Sequence, residues 1–167
     1  MSGHLTGKNI AVTGAGNGIG RGIALACAAE GANVVVADYG VSLDGRDPSS
    51  EVADGVVAEI TAAGGTAVAV AGDVSKMEVG QQIIDTAVDN WGSIDGVVCV
   101  AGIVRERMLF NMSEEEFDDV VAVHLKGHFT LYRAASAVMR KQESGGSLVG
   151  FTSGAFVAST AQPNYSA

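Results

Sequence analysis

A chain of 167 residues is long enough for one domain with its own core, and 47% hydrophobic against 17% charged residues excludes a disordered or collagen-like polymer. Ten basic against nineteen acidic residues leave a net charge of -9, which repels a phosphate backbone and excludes nucleic acid as an expected partner, though not one pyrophosphate held by backbone amides. Residues 1–8 carry no signal-like apolar core and no run is long enough to span a bilayer, so a cytoplasmic protein without membrane attachment is expected.

In chain order, apolar β-rich runs alternate with helical periodicities. Asn9–Thr13 is the first predicted strand. The helix predicted over 18–30 gathers Ile19, Ile23, Ala26 and Cys27 on one face. Asn33–Asp38 is a continuous β-branched run, the pattern of a strand covered on both faces. A loop over 39–50, rich in Gly, Asp, Ser and Pro, exceeds most strand-to-helix connections in length. A helix over 51–63 stops at Gly64-Gly65, and Thr66–Ala71 is the third strand. The helix over 76–90 turns Val79, Ile83 and Ala87 inward, with Trp91 at its end, and 94–100 is the fourth strand.

Ser113 before Glu114, Glu115 and Glu116 is a helix N-cap with acids at the positive helix end, a solvated start and not a metal site. Residues 117–141 then form one long helix or two nearly continuous ones. Gly145-Gly146 ends it, 147–152 is a fifth strand, and the chain finishes in a loop. This alternation calls for an α/β, Rossmann-like three-layer sandwich with a parallel sheet and right-handed crossovers, in a single domain. Cys27 and Cys99 sit in apolar stretches, so buried reduced thiols outweigh a redox role, and no spacing fits a metal site.

The first strand runs into Thr13-Gly14-Ala15-Gly16-Asn17-Gly18-Ile19-Gly20. Glycines there let the backbone turn tightly against a pyrophosphate, and the helix that follows supplies free N–H groups and its positive end. The spacing is G-x-x-x-G-x-G, not G-x-G-x-x-G, so by itself the turn is a weak signal. Asp38 strengthens it, ending the second strand where an acid bonds the adenosine ribose; the competing reading is that Asp38 only starts the next loop. A carboxylate there, with no basic residue at Asn17, favours NAD over NADP.

The TGAGNGIG turn, Asp73-Val74, Cys99-Val100-Ala101-Gly102, the VHLKG stretch 123–127, and Ser153 followed by Asn164-Tyr165-Ser166-Ala167 resemble the short-chain dehydrogenase/reductase family, in order and over essentially the whole chain. The long loop after Asp38, Ala101-Gly102-Ile103-Val104-Arg105-Glu106-Arg107 and His124 resemble, within it, the hydroxyacyl-CoA dehydrogenase part of peroxisomal multifunctional enzymes and bacterial relatives. The resemblance implies that Gly14, Asn17, Gly18, Ile19 and Gly20 hold the pyrophosphate end of NAD. It gives Asp38 to the ribose, Asp73 and Val74 to the adenine, and Ala101 and Gly102 to the cofactor wall. Ser153 would polarise the substrate oxygen, and Tyr165 would exchange its proton while hydride moves. A tyrosine phenol ionises near pH ~10 and needs a nearby positive charge to act as a base at neutral pH. In the family that charge is a lysine four residues on, the second position past Ala167. The usual C-terminal helices, strands and substrate lid would follow, so the domain is expected to be a truncated one.

The sequence departs from the family at three points. His124 replaces the usual asparagine of the long helix; it either keeps the relay role through its backbone carbonyl or is a packed histidine. Cys99 replaces another asparagine, and Ser153 lies twelve residues before Tyr165 where thirteen are usual. Arg105 and Arg107 either guide a phosphate-bearing thioester or belong to a solvated loop. The expected activity is NAD-dependent hydride transfer with a secondary alcohol or ketone, extending to a 3-hydroxyacyl thioester. Its alternatives are a non-catalytic NAD-binding module and, far behind, a methyltransferase. A homodimer or homotetramer is expected from the resemblance and from a mean hydropathy of +0.27.

Overall fold

The computed structural model describes residues 3–41, 45, 48–157 and 159–167. Strands β1 (Asn9–Thr13), β2 (Asn33–Asp38), β3 (Thr66–Ala71), β4 (Gly96–Cys99) and β5 (Ser147–Gly150) form one sheet in the order β3-β2-β1-β4-β5, every neighbouring pair parallel. Helices α1 (Gly18–Ala29), α2 (Glu51–Ala62), α3 (Met77–Trp91), α4 (Glu114–Val121), α5 (Gly127–Met139) and α6 (Pro163–Ser166) complete the α/β, Rossmann-like architecture. From β1 the chain builds outward to β2 and β3, then returns to lay β4 and β5 on the other side. The strand order therefore reverses between β1 and β4, and ligands of such sheets sit beyond the strand ends at that point.

Strand alternation divides the core in two. Ala11, Val35, Ala37, Val97 and Cys99 point to one face and pack with Ile83, Ile84, Leu131 and Ala135 of α3 and α5. Ile10, Val12, Val34 and Val36 point to the other and pack with Ala24, Ala53, Val56 and Ile60 of α1 and α2. Covering both faces suits the β-branched centre of β2, with Val34, Val35 and Val36 each fully buried.

Several predicted features shift. Ile19 does not join the buried face of α1 but is 65% exposed, because it begins the helix beyond the sheet end. Gly20 and Ala24 are buried there instead, and Cys27 is only half-buried. Strand β4 is shorter than residues 94–100, since the Thr13 hydroxyl takes the N–H groups of both Val100 and Ala101, at 3.2 and 3.3 Å, and ends the ladder. Strand β5 stops at Gly150 because its register partner is Cys99, the last residue of β4. The chain's end is not only loop: a 3-10 turn at Gly154–Phe156 and the single turn of α6 follow. Of the long loop over 39–50, residues 42–44, 46 and 47 lie outside the described residues; its ends meet where Ser49 N–H donates to the Gly40 carbonyl at 3.2 Å.

The long predicted helix is nearly continuous but contains a π-helical turn, Ala122–Lys126, between α4 and α5. Such one-residue expansions free a backbone carbonyl and cluster at functional sites. The Ser113 cap is a full capping box: Ser113 Oγ accepts from Glu116 N–H at 3.1 Å, and Glu116 Oε2 accepts from Ser113 N–H at 2.9 Å. Among the described residues no strand pairs the outer edge of β5, where Leu148, Val149 and Phe151 are exposed. No helix among them is long and apolar enough to cross a membrane.

Candidate functional site

A cavity of about 560 Å³ opens at the switch point, beyond the C-terminal ends of the strands. Its floor is the glycine-rich turn. Gly14 has φ +63°, and a Cβ added there would lie 2.8 Å from the backbone N and Cα of Ala101, so only glycine lets this turn reach the end of β4. Helix α1 starts after Asn17 without a side-chain cap, leaving its first-turn amides free for an anion. The structure brings all ten predicted cofactor residues together: Gly14, Asn17, Gly18, Ile19, Gly20, Asp38, Asp73, Val74, Ala101 and Gly102 all line this cavity. Tyr39, Val41, Gly72, Val100, Ile103 and Val123 line it too. The sequence assigned none of these a cofactor role, although all but Val41 adjoin a named site residue.

The Asp38 carboxylate holds the turn in place, Oδ2 accepting from Gly16 N–H at 2.7 Å and Oδ1 from Gly40 N–H at 2.6 Å. Each carboxylate oxygen retains a lone pair for a further donor. On the far wall, Asp73 Oδ1 accepts from Ser75 N–H at 2.9 Å, and the buried Thr130 hydroxyl of α5 donates to the Val74 carbonyl at 2.7 Å. Among the described residues lining the cavity, two are acidic and none is lysine or arginine.

Of the three predicted catalytic residues, His124 and Tyr165 meet: their rings stand edge to face, centroids 4.9 Å apart. His124 Nε2 lies 2.9 Å from the Ile103 carbonyl and 3.2 Å from the Ile103 N–H. One tautomer donates to the former and the other accepts from the latter, so either pins the ring to that peptide. The ring also fills the space above Gly102, where an added Cβ would come within 2.3 Å of Cε1. The His124 carbonyl, within the π turn, accepts from His128 Nδ1 at 2.5 Å. Ser153 caps the 3-10 turn, its Oγ accepting from Ala155 N–H at 3.3 Å, and this turn packs against α6. Among the described residues no hydrogen bond joins Ser153 to Tyr165.

Burial holds the His124 imidazole below its ordinary value of 6.5, outweighing the opposing bond to Ile103. A depressed base costs more to protonate in the fold than in the unfolded chain. Its stability contribution is whole above pH 6.5 and is lost as pH falls from there through the lower folded value. Thermal melts should therefore lose Tm more steeply between pH 7 and 5 for the parent chain than for His124→Asn. Equal slopes would mean the ring titrates as if exposed.

Both loop arginines are ion-paired, one largely buried and the other exposed. Arg105 is largely buried, its side chain 17% exposed, and pairs with Asp119 at 3.0 Å. Arg107 makes a forked pair with Glu116, 2.7 Å at its shortest, and that guanidinium bond holds the Glu116 carboxyl down at about 2. Both cations are struts between the loop and α4. The Cys99 thiol faces α5, not the cavity, and burial pushes it up to about 12 against the opposing bond with the Tyr132 hydroxyl, an unreactive thiol. Asn164 carries no role of its own in the sequence, where it only precedes Tyr165. It is 4% exposed, with Nδ2 donating to the Arg105 and Glu116 carbonyls and Oδ1 accepting from Tyr165 N–H.

The chain is similar to known proteins along nearly all its length. It is 49% identical over 149 residues to a hydroxyacyl-CoA dehydrogenase, ChsB1, of Mycobacterium tuberculosis, covering 87% of this chain and 45% of that protein. It is 43% identical over 161 residues to a mouse peroxisomal multifunctional enzyme type 2, covering 96% of this chain and 22% of the relative. A crystal structure of a short chain dehydrogenase from Mycobacterium avium superposes with a TM-score of 0.91 at 50% identity, over 98% of this chain and 59% of that one. The chain thus spans about half the length, or less, of these relatives. The family model for short chain dehydrogenases matches residues 8–167, and with the fold and turn above it establishes that the chain belongs to the short-chain dehydrogenase family.

Proposed function

We propose that the chain is the NAD-binding part of an oxidoreductase acting on a secondary alcohol or its ketone, with a 3-hydroxyacyl thioester as the favoured substrate class. The observation that carries this is the switch-point cavity, which combines a glycine cradle, uncapped helix amides and an acid at the ribose position with no basic side chain among its described lining residues. The amides of Gly18, Ile19 and Gly20 suit a pyrophosphate, the Asp38 carboxylate suits vicinal ribose hydroxyls, and Ala101 and Gly102 offer an unobstructed wall to a planar ring. NAD, when bound there, supplies the hydride acceptor. The chain's own part is to orient the alcohol with Ser153 and to take its hydroxyl proton on Tyr165, or to return that proton in the reverse direction. His124 keeps the Gly102–Ile103 wall and the Tyr165 ring in a fixed relation. The substrate class is supported by similarity to relatives named for hydroxyacyl-CoA chemistry. Cytoplasmic placement and a homodimer or homotetramer belong to the same reading, the latter supported by exposed Phe117, Leu125 and Phe129 along α4–α5.

Fluorescence titration with NADH and NADPH tests the cofactor. Asp38 should oppose a 2′-phosphate strongly enough for NADH to bind at least about tenfold tighter, worth about 1.4 kcal/mol. Asp38→Ser should erase that preference. Equal or tighter binding of NADPH by the parent chain would sink the NAD assignment. NADH binding without turnover of any 3-hydroxyacyl thioester would favour the non-catalytic module.

A further inference from the structure

Tyr165 lies on α6, a single turn of four residues with too few hydrogen bonds to fix its own orientation. Its N–H belongs to the helix's first turn, where no intrahelical acceptor exists. The acceptor is a side chain instead, Asn164 Oδ1 at 2.9 Å. From the same buried amide, Nδ2 donates to the Arg105 carbonyl at 3.1 Å and to the Glu116 carbonyl at 2.8 Å. Both amide protons are used, by two different elements.

Those elements are not arbitrary. Arg105 follows Ala101, Gly102 and Ile103, the cavity wall, and Glu116 sits in the capping box that starts α4. Further bonds fasten the same segments: Arg107 N–H donates to the Ala161 carbonyl at 2.7 Å, and Gln162 Nε2 donates to Glu106 Oε1 at 2.7 Å. The segment before Tyr165 and the loop after β4 are thus laced together, with Asn164 as the one buried knot.

We infer that Asn164 is a positioning residue: its carboxamide ties the backbone of Tyr165 to the cavity-wall loop and to α4, so that the phenol is held at a fixed place relative to the bound dinucleotide. This rests on the reading of Tyr165 as the proton-transfer group. Misplacing a reacting group by ~1 Å costs about 10²-fold in rate, which sets the expected loss.

The readout that does not depend on turnover is the His124 ring, which the Tyr165 ring shields from 4.9 Å away. The chain has 3 histidines, so each Cε1–H signal can be assigned with His4→Gln and His128→Gln. In folded Asn164→Ala, the His124 signal should move to the position it takes in Tyr165→Leu. NADH affinity should stay within about twofold of the parent while kcat falls about 10²-fold. A purely structural role would lower Tm but leave the His124 signal and kcat where they were, and that result overturns the inference. Asn164→Ser keeps an acceptor for the Tyr165 N–H but cannot span both carbonyls, so it should shift the signal in the same direction if the alanine variant fails to fold. In the unsubstituted chain the Tyr165 N–H should be protected from hydrogen exchange, and fast exchange would also overturn it. A parent chain without turnover sinks the proposed oxidoreductase activity, yet leaves the His124 signal to decide on Asn164.

Discussion

Tyr165→Phe is expected to lower kcat by about 10²–10⁴-fold, the usual worth of a positioned general acid–base group, while NADH binding changes by no more than about twofold. The substitution is clean because of what surrounds the residue. Tyr165 meets His124 through its ring, and its backbone N–H is held by Asn164, so phenylalanine keeps both contacts and deletes only the hydroxyl. Tyr165 does not line the cavity wall that would receive the dinucleotide, which is why affinity should stay. The measurement is a steady-state comparison with a 3-hydroxyacyl thioester and NAD, next to a fluorescence titration of NADH. If kcat of the variant fell within threefold of the parent, proton transfer would not depend on this phenol. Ser153, whose hydroxyl is committed to the Ala155 N–H, would then become the leading candidate.

Features set by short-range pattern were legible in the sequence. The run Asn33–Asp38 carries its own boundaries, because a β-branched stretch between polar residues suits a strand covered on both sides. Ser113 and Glu116 announce their capping box by spacing alone. The turn after β1 and the acid closing β2 are likewise local, and they line one cavity because β1 and β2 are register partners from Asn9–Asn33 to Thr13–Ala37. What could not be read depends on contacts between distant residues. The hydroxyl of Thr13 ends β4 by capturing amides 87 and 88 residues away. Arg105 and Arg107 are polar letters in a loop until α4 folds back and supplies Asp119 and Glu116. His124 stood in the sequence either as an asparagine replacement keeping the relay role through its carbonyl or as a packed histidine. In the fold His128 takes that carbonyl, and the imidazole holds the Ile103 peptide. Ile19 was misassigned for a related reason: helical periodicity reports which residues share a face, not where the sheet beneath the helix stops.

Gly20→Ala should cost both stability and cofactor affinity for a single added carbon. The new Cβ would sit 2.0 Å from the Gly14 carbonyl oxygen and 2.6 Å from its carbon. Both are backbone atoms, so no rotamer change relieves the contact, and either α1 lifts from the sheet or the turn opens. Overpacking of this kind costs about 1–3 kcal/mol, and the upper end is expected because the opposing atoms cannot rotate away. Tm should then fall by roughly 5–10 °C for a domain of this size. NADH affinity should fall by about 10²-fold or more, equivalent to roughly 2.7 kcal/mol, since the displaced amides are the ones aimed into the cavity. Gly22→Ala, two residues along the same helix, is the control. A Cβ there meets nothing within 4 Å, so the substitution should leave NADH binding unchanged and raise stability by about 0.5–1 kcal/mol through helix propensity. If the two alanines behaved alike in melting and in NADH titration, the close approach of α1 to the turn would not be what forms the dinucleotide cradle. A loss confined to Gly20→Ala would tie the phosphate site to one backbone contact, between the first turn of α1 and Gly14, the residue that follows β1.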